Sequence, residues 1–322
     1  MKRILALLGL LLILLSGCAA PEPPAQIAAT TLPVYEFTAR LCEGTGITVT
    51  RLVTESVSCL HDYSLNVNQV RAAEAAETIV ISGAGLEEFM EDLLHNKETV
   101  IDSSLSVPLL ECDDAHHNHE HGHHHHHSED SHIWLSPDNA KHMATAICEG
   151  LSREYPQYKD TFEANLTALL ADLDALHQYG LAELKDLSCR ELITFHDGFG
   201  YFADCFDLTI LEAVEEESGS EASAQELKHL ISIVREHDLS AVFIEANGSV
   251  SAAEVIARET GAKICTLDMA MGGDSYFDAM YHNIDTIKEA LGCNFFPTED
   301  PAAIPAACGF RICPSRSAAI KY

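Results

Sequence analysis

Basic residues are scarce in this chain: 19 Lys and Arg stand against 50 Asp and Glu, a formal net charge of −31. A surface of that sign repels nucleic acid and anionic lipid, and it attracts cations without selecting among them. The 11 cysteines contain no C-x-x-C pair, so a thiolate zinc site is not indicated. The longest apolar run, Ile4–Leu15, is too short to span a bilayer comfortably. Neither the nucleophile elbow nor the phosphate-binding loop occurs, which removes two common signatures of hydrolytic and nucleotide-binding enzymes.

Histidine, by contrast, is concentrated. Ten of the 18 histidines fall within Asp113–Trp134. Nine of these (His116, His117, His119, His121, His123, His124, His125, His126 and His127) share a polar run with no apolar residue to fold around. Neutral imidazole is a preferred ligand of zinc, copper and nickel, so the run reads as an auxiliary, low-affinity metal loop. A solvated low-complexity loop or a purification tag is the bland alternative, but a tag normally sits at a terminus and carries no interspersed Asn, Glu and Gly. Protons compete for the same nitrogens, so the run should release metal as pH falls toward and below ~6.5. His132 stands apart, directly before an apolar pair and a helix start.

Lys2 and Arg3 followed by Ile4–Leu15 have the charge and length of a secretory signal. The run ends in Leu15-Ser16-Gly17-Cys18, which resembles the lipobox of bacterial lipoproteins. Residues 1–18 are therefore expected to be signal and lipobox, with Cys18 lipidated, and Pro/Ala-rich residues 19–25 a tether. The expectation is a soluble body, lipid-anchored to the outer face of the cell membrane. Ten cysteines follow Cys18, an even number that permits disulfides in an exported protein but assigns no pairs.

From Gln26 onward, short β-rich runs alternate with amphipathic stretches. Strands are expected at Gln26–Ala29, Ile47–Val53, Thr78–Ile81 and Thr99–Ile101, with helices at Pro33–Glu43, Asn66–Ala76 and Leu86–Leu94. Ser136 and Pro137 open a further helix to about Leu151. Tyr158–Leu187 repeats apolar residues at three- and four-residue steps, predicting one long helix. The alternation then resumes, with strands at Glu191–Phe195, Thr209–Val214, Ala241–Glu245 and Lys263–Leu267. Helices are expected there at Gly198–Phe206, Ser223–His237, Ser249–Thr260 and Ser275–Leu291. The predicted fold is α/β: two lobes of parallel βαβ units joined by one long rigid helix. The expected division is 26–152 (N-terminal lobe, with the His-rich loop at 113–131), 153–187 (connecting helix), 188–292 (C-terminal lobe) and 293–322 (irregular tail).

Four residues outside the run stand at strand ends or in the loops after them: His61, His132, His196 and Asp268. A lone histidine after a strand is more often a loop or capping residue than a ligand; here shared position raises all four. Doubly wound sheets bind ligands at the carboxyl ends of their strands, so facing lobes would gather these side chains in one cleft. Three imidazoles and a carboxylate suit tetrahedral zinc. His95, His142, His177, His229, His237 and His282 lie on expected helices or their ends and are read as structural.

Several strings carry a resemblance: Thr30-Thr31-Leu32-Pro33-Val34-Tyr35, His61-Asp62-Tyr63, His132-Ile133-Trp134-Leu135-Ser136-Pro137, Phe195-His196-Asp197-Gly198-Phe199-Gly200-Tyr201 and Gly219-Ser220-Glu221-Ala222-Ser223. Over about Gln26–Leu291 the chain resembles the ZnuA/AdcA-like zinc-binding proteins of metal ABC transporters, a group that also includes manganese receptors. Ala222 stands where that family usually has Pro. The resemblance implies an extracytoplasmic receptor, not an enzyme, that captures Zn2+ with His61, His132, His196 and Asp268. It implies delivery of the ion to a membrane permease with its ATPase subunit, by a protein expected to be a monomer. Asp268 falls where the family often has an acidic fourth ligand, which some zinc members replace by another acid or by water. A manganese receptor of the same type and a metal-stabilised adhesin are the alternatives. A zinc hydrolase would need an open coordination position and a base, for which Glu245, Glu212 and Asp197 are the candidates.

Overall fold

β-branched and apolar runs bounded by turn residues form eight short strands among the described residues, each followed by a helix or helical turn. The structure, a computed structural model, describes residues 26–55, 57, 60, 63–110, 130–215, 222–246, 248 and 250–292. Cys18, His61, the nine clustered histidines, the tether and the tail lie outside these residues.

The first sheet is built from β1 (Ile27–Ala29), β2 (Val49–Arg51), β3 (Thr78–Ile81) and β4 (Thr99–Asp102), in the order β2-β1-β3-β4. The second holds β5 (Glu191–His196), β6 (Thr209–Glu215), β7 (Ala241–Glu245) and β8 (Lys263–Leu267), in the order β6-β5-β7-β8. Every pairing is parallel. The chain thus reverses its direction of winding between β1 and β3 in one sheet, and between β5 and β7 in the other. Such switch points open a crevice beyond the strand ends.

Helices α1 (Leu32–Leu41), α2 (Val67–Ala75) and α3 (Glu91–His95) belong to the first half. Asn66 caps α2 in a full capping box with Gln69. The helix expected over Leu86–Leu94 is broken: a 3-10 turn at Glu88–Met90 precedes the five-residue α3. Gly83, Ala84 and Gly85 all take positive φ there. The Glu87 carboxylate turns inward to accept the backbone N–H groups of Ser82 and Gly83, so these local bonds displace a regular first turn.

Two long helices separate the sheets. α4 (Pro137–Glu154) starts where Ser136 and Pro137 predict, and runs three residues beyond Leu151 until Pro156 ends it. α5 (Lys159–Glu183) is the expected long helix, with its buried seam at Phe162, Leu169, Leu173, Leu176 and Gly180. It stops four residues short of Leu187. The C-terminal half adds α6 (Gly200–Cys205), α7 (Ala224–Glu236), α8 (Ser251–Thr260) and α9 (Tyr276–Leu291). One hydrophobic core runs through both halves, from Ile27 and Phe37 past Trp134, Leu169 and Leu173 to Phe202, Phe243 and Tyr276. Smaller clusters sit under α2 and between α7, α8 and the second sheet. No helix among the described residues is long and apolar enough to cross a membrane.

Candidate metal site

The second sheet positions one half of the site. His196 is the last residue of β5 and Glu245 the last of β7, so they stand side by side across the switch point. The other half comes from the segment entering α4. His132 is followed by a 3-10 turn, Ile133–Leu135, whose three apolar side chains are fully buried. Trp134 Nε1 donates to the Met269 carbonyl at 2.7 Å, and Tyr276 Oη donates to the Trp134 carbonyl at 2.8 Å. Ser136 then caps α4 through its side chain. Apolar burial on one side and a cap on the other leave His132 little freedom.

The two rings meet edge to face, with centroids 5.0 Å apart and Nε2 atoms 3.1 Å apart. Both are almost wholly buried, at 4% and 1% exposure. Behind each ring, on the Nδ1 side, stands a carboxylate. Asp130 Oδ1 lies 2.8 Å from His132 Nδ1, and Glu245 Oε1 lies 3.7 Å from His196 Nδ1. A carboxylate behind Nδ1 draws the ring proton there and turns the Nε2 lone pair forward, as in carboxylate–histidine–metal sites. With the proton on each Nδ1, both Nε2 lone pairs face the gap between the rings and favour a cation there. Tetrahedral zinc with Zn–N bonds of ~2.0–2.1 Å would set two nitrogens about 3.4 Å apart, close to the spacing found.

Three further residues shape the site. A Cβ at Gly198 would lie 2.7 Å from His196 Cδ2 and from Met269 Cε, so only glycine lets the chain pass beneath the ring. Tyr201, on α6, receives the Leu110 N–H at 2.9 Å and donates to the Asp130 carbonyl at 3.0 Å. Asp130 N–H in turn donates to the Leu110 carbonyl at 3.0 Å. Both ends of the 111–129 segment are therefore fastened together at the site's rim, beside the aspartate that orients His132. In the segment after β2, Leu60 is buried, and Tyr63 bonds with Glu55 and Gln69. These residues flank His61, itself outside the described residues.

The structure thus brings His132 and His196 together. It does not bring in Asp268. That side chain accepts the Ala270 N–H at 2.7 Å, while Asn283 bonds both its backbone N–H and its carbonyl. Among the described residues no third His, Cys, Asp or Glu offers a ligand atom within 4.8 Å of both facing nitrogens. Glu245, a candidate base in the hydrolase reading, lies behind His196, away from the Nε2 face. Asp130, Gly198, Glu245 and Tyr201 are the site residues that motif reasoning assigned no role in holding the ligands. Glu245 and Gly198 left some signal, the first as the last residue of a strand and the second as a glycine two residues after His196. Of the histidines read as structural, His237 pairs with Glu191 at 2.9 Å and His177 with Asp138 at 3.0 Å.

The family described as zinc-uptake complex component A, periplasmic, matches residues 27–290. Zinc-binding protein AdcA of Streptococcus pyogenes is 25% identical over 305 residues, covering 87% of this chain and 59% of that protein. The chain therefore spans about three-fifths of that relative's length. High-affinity zinc uptake system protein ZnuA of Bacillus subtilis is 29% identical, covering 83% of this chain and 87% of that protein. A crystal structure of ZnuA superposes with a TM-score of 0.72 at 32% identity, over 83% of this chain and 99% of the other.

Proposed function

The chain belongs to the zinc-uptake complex component A family, and from that premise we propose that it is an extracytoplasmic receptor whose cargo is Zn2+. The facing Nε2 atoms of His132 and His196, 3.1 Å apart with a carboxylate behind each ring, are the observation that supports this reading most. In this proposal His61 supplies a third imidazole and Asp268 a fourth, acidic ligand once its side chain turns from Ala270. A nitrogen-rich set favours zinc over manganese, which prefers more oxygen. The protein then hands the ion to a membrane permease driven by an ATPase. It acts as a monomer held at the membrane by lipidated Cys18. His116–His127 concentrate zinc near the rim, where Leu110 and Asp130 close the loop.

The hydrolase reading loses Glu245 as a base, because that carboxylate faces the back of His196. The string His119-Glu120-His121-Gly122-His123 matches a metalloprotease pattern in letters only. That pattern needs a helix to bring both imidazoles to one face, and this polar run has no helical periodicity.

Zinc titration by calorimetry tests the proposal. His132→Ala and His196→Ala should each weaken binding more than about 100-fold, whereas Asp130→Asn and Glu245→Gln should cost roughly 10–100-fold, as outer partners of ligating histidines do. Equal and small losses across all four would refute the assignment.

A further inference from the structure

Away from the paired histidines, the described residues hold one other gathering of metal-ligating side chains: Asp138, His177 and Cys205, whose ligand atoms all lie within 4.8 Å of one another. The three come from three different helices. Asp138 is in the first turn of α4, His177 is in the second half of α5, and Cys205 closes α6. No local motif forces them together, so the cluster is a product of the tertiary fold.

All three side chains are partly buried. His177 Nδ1 lies 3.0 Å from Asp138 Oδ1 and keeps only 16% of its side chain exposed. The Phe206 ring stands edge-on to the imidazole, with centroids 5.9 Å apart, and closes the apolar side. Phe206 itself reaches α5 only because residue 180 is glycine, whose Cβ would fall 2.2 Å from the ring. The half-buried Cys205 thiol is a free one, and it takes hydrogen bonds with the Ser136 side chain and the Asp138 backbone. Burial, the larger effect, nevertheless pushes the thiol up, so the metal-free protein holds it as S–H. The competing cation is Lys141, whose Nζ sits 2.7 Å from Asp138 Oδ1. It also sits 2.6 Å from Asp174 Oδ1, so it has a second partner to retire to.

We infer that Asp138, His177 and Cys205 form a second metal site, binding a thiophilic divalent cation of the Zn2+ class at the junction of α4, α5 and α6. An oxygen, a nitrogen and a sulfur donor match the borderline character of zinc and exclude Ca2+ and Mg2+, which demand oxygen cages. Zinc bonds of ~2.0–2.3 Å set the donors roughly 3.3–3.8 Å apart, so the His177–Asp138 pair opens slightly from 3.0 Å while all three donors already lie within 4.8 Å. With three protein ligands the fourth position goes to water, so this site is weaker than the paired-histidine site. On binding, the S–H bond breaks, an S–metal bond forms and one proton leaves to solvent. A cation here ties the helix that follows His132 to the helix that follows His196. The order of filling rests on the four-ligand reading of the paired-histidine site, whereas the existence of the second site does not.

The test is a Co2+ titration of the full chain under a non-thiol reductant, past one equivalent. The paired-histidine site has no sulfur, so only the second site can give a sulfur-to-cobalt charge-transfer band through Cys205. We expect that band after the first equivalent, its loss in Cys205→Ser, and at least a ten-fold weaker midpoint in His177→Gln. Absence of the band, or its survival in Cys205→Ser through another cysteine, overturns the site. Should Cys205→Ser fail to fold, alkylation of the unmodified protein decides. Zn2+ must slow labelling of Cys205, read by peptide mass spectrometry, at least ten-fold where Mg2+ does not. An unchanged rate overturns the inference.

Discussion

A carboxyl group buried beneath the loop after β3 shows how single residues set the behaviour of this fold. Glu87 is 4% exposed and accepts Thr30 Oγ1 at 2.6 Å, Ser82 N–H at 2.7 Å and Gly83 N–H at 3.0 Å. Burial outweighs those donors and raises its pKa from 4.5 to about 7. A folded-state pKa above the unfolded one means the residue's stabilisation is complete below ~4.5 and is lost as pH rises to about 7. The full span corresponds to at most about 3 kcal/mol. Unfolding free energies of the parent and Glu87→Gln should therefore diverge between pH 5 and 7.5, the parent losing stability relative to the variant; a constant difference would contradict this. Gly198 acts on the site by its size alone. Gly198→Ala should weaken zinc binding while leaving circular dichroism unchanged, because the added methyl displaces the His196 ring. Unaltered affinity would show that the ring tolerates it. His132 and His196 were legible in the sequence because each belongs to a recognisable string, one before a helix start and the other at a strand end. Asp130 and Glu245 acquire their place only when burial turns each toward a ring's Nδ1, and no spacing rule encodes that.

At the scale of elements, the connecting helix was the most legible part of the chain. Its seam at Phe162, Leu169, Leu173 and Leu176 repeats at helical steps over about four turns' worth of sequence. The broken helix at Glu88–His95 was not, since three positive-φ residues and an inward-turned carboxylate outweigh an amphipathic pattern. Gly180 separates propensity from packing in a single substitution. Helix propensity alone favours Ala over Gly by about 1 kcal/mol. A Cβ there would meet Phe206 at 2.2 Å, and overpacking of that kind costs roughly 1–3 kcal/mol. Denaturant unfolding of Gly180→Ala should show net destabilisation; a more stable variant would mean that α6 gives way easily.

For the whole molecule, the decisive property is the shared core. Side chains from β1, α1, α4, α5, α6, β7 and α9 belong to one cluster, so the halves are not free bodies on a flexible tether. Hydrogen bonds cross between them as well, from Arg51 to the Gly273 carbonyl at 2.8 Å and from the Tyr276 N–H to Glu36 at 2.6 Å. Capture of zinc should therefore proceed by side-chain and loop movement. Small-angle scattering of metal-free and zinc-loaded protein should superimpose, and a wide hinge closure would contradict the stiffness argued here. The fastened ends at Leu110 and Asp130 make the clustered histidines separable from the cleft, so deletion of 116–127 should leave the tight zinc site intact. The most direct measurement is an anomalous-scattering map of the full chain loaded with one equivalent of Zn2+. The account predicts its strongest peak between His132 and His196, ~2.0–2.1 Å from both Nε2 atoms. A strongest peak among His116–His127, or none at the paired rings, would contradict it.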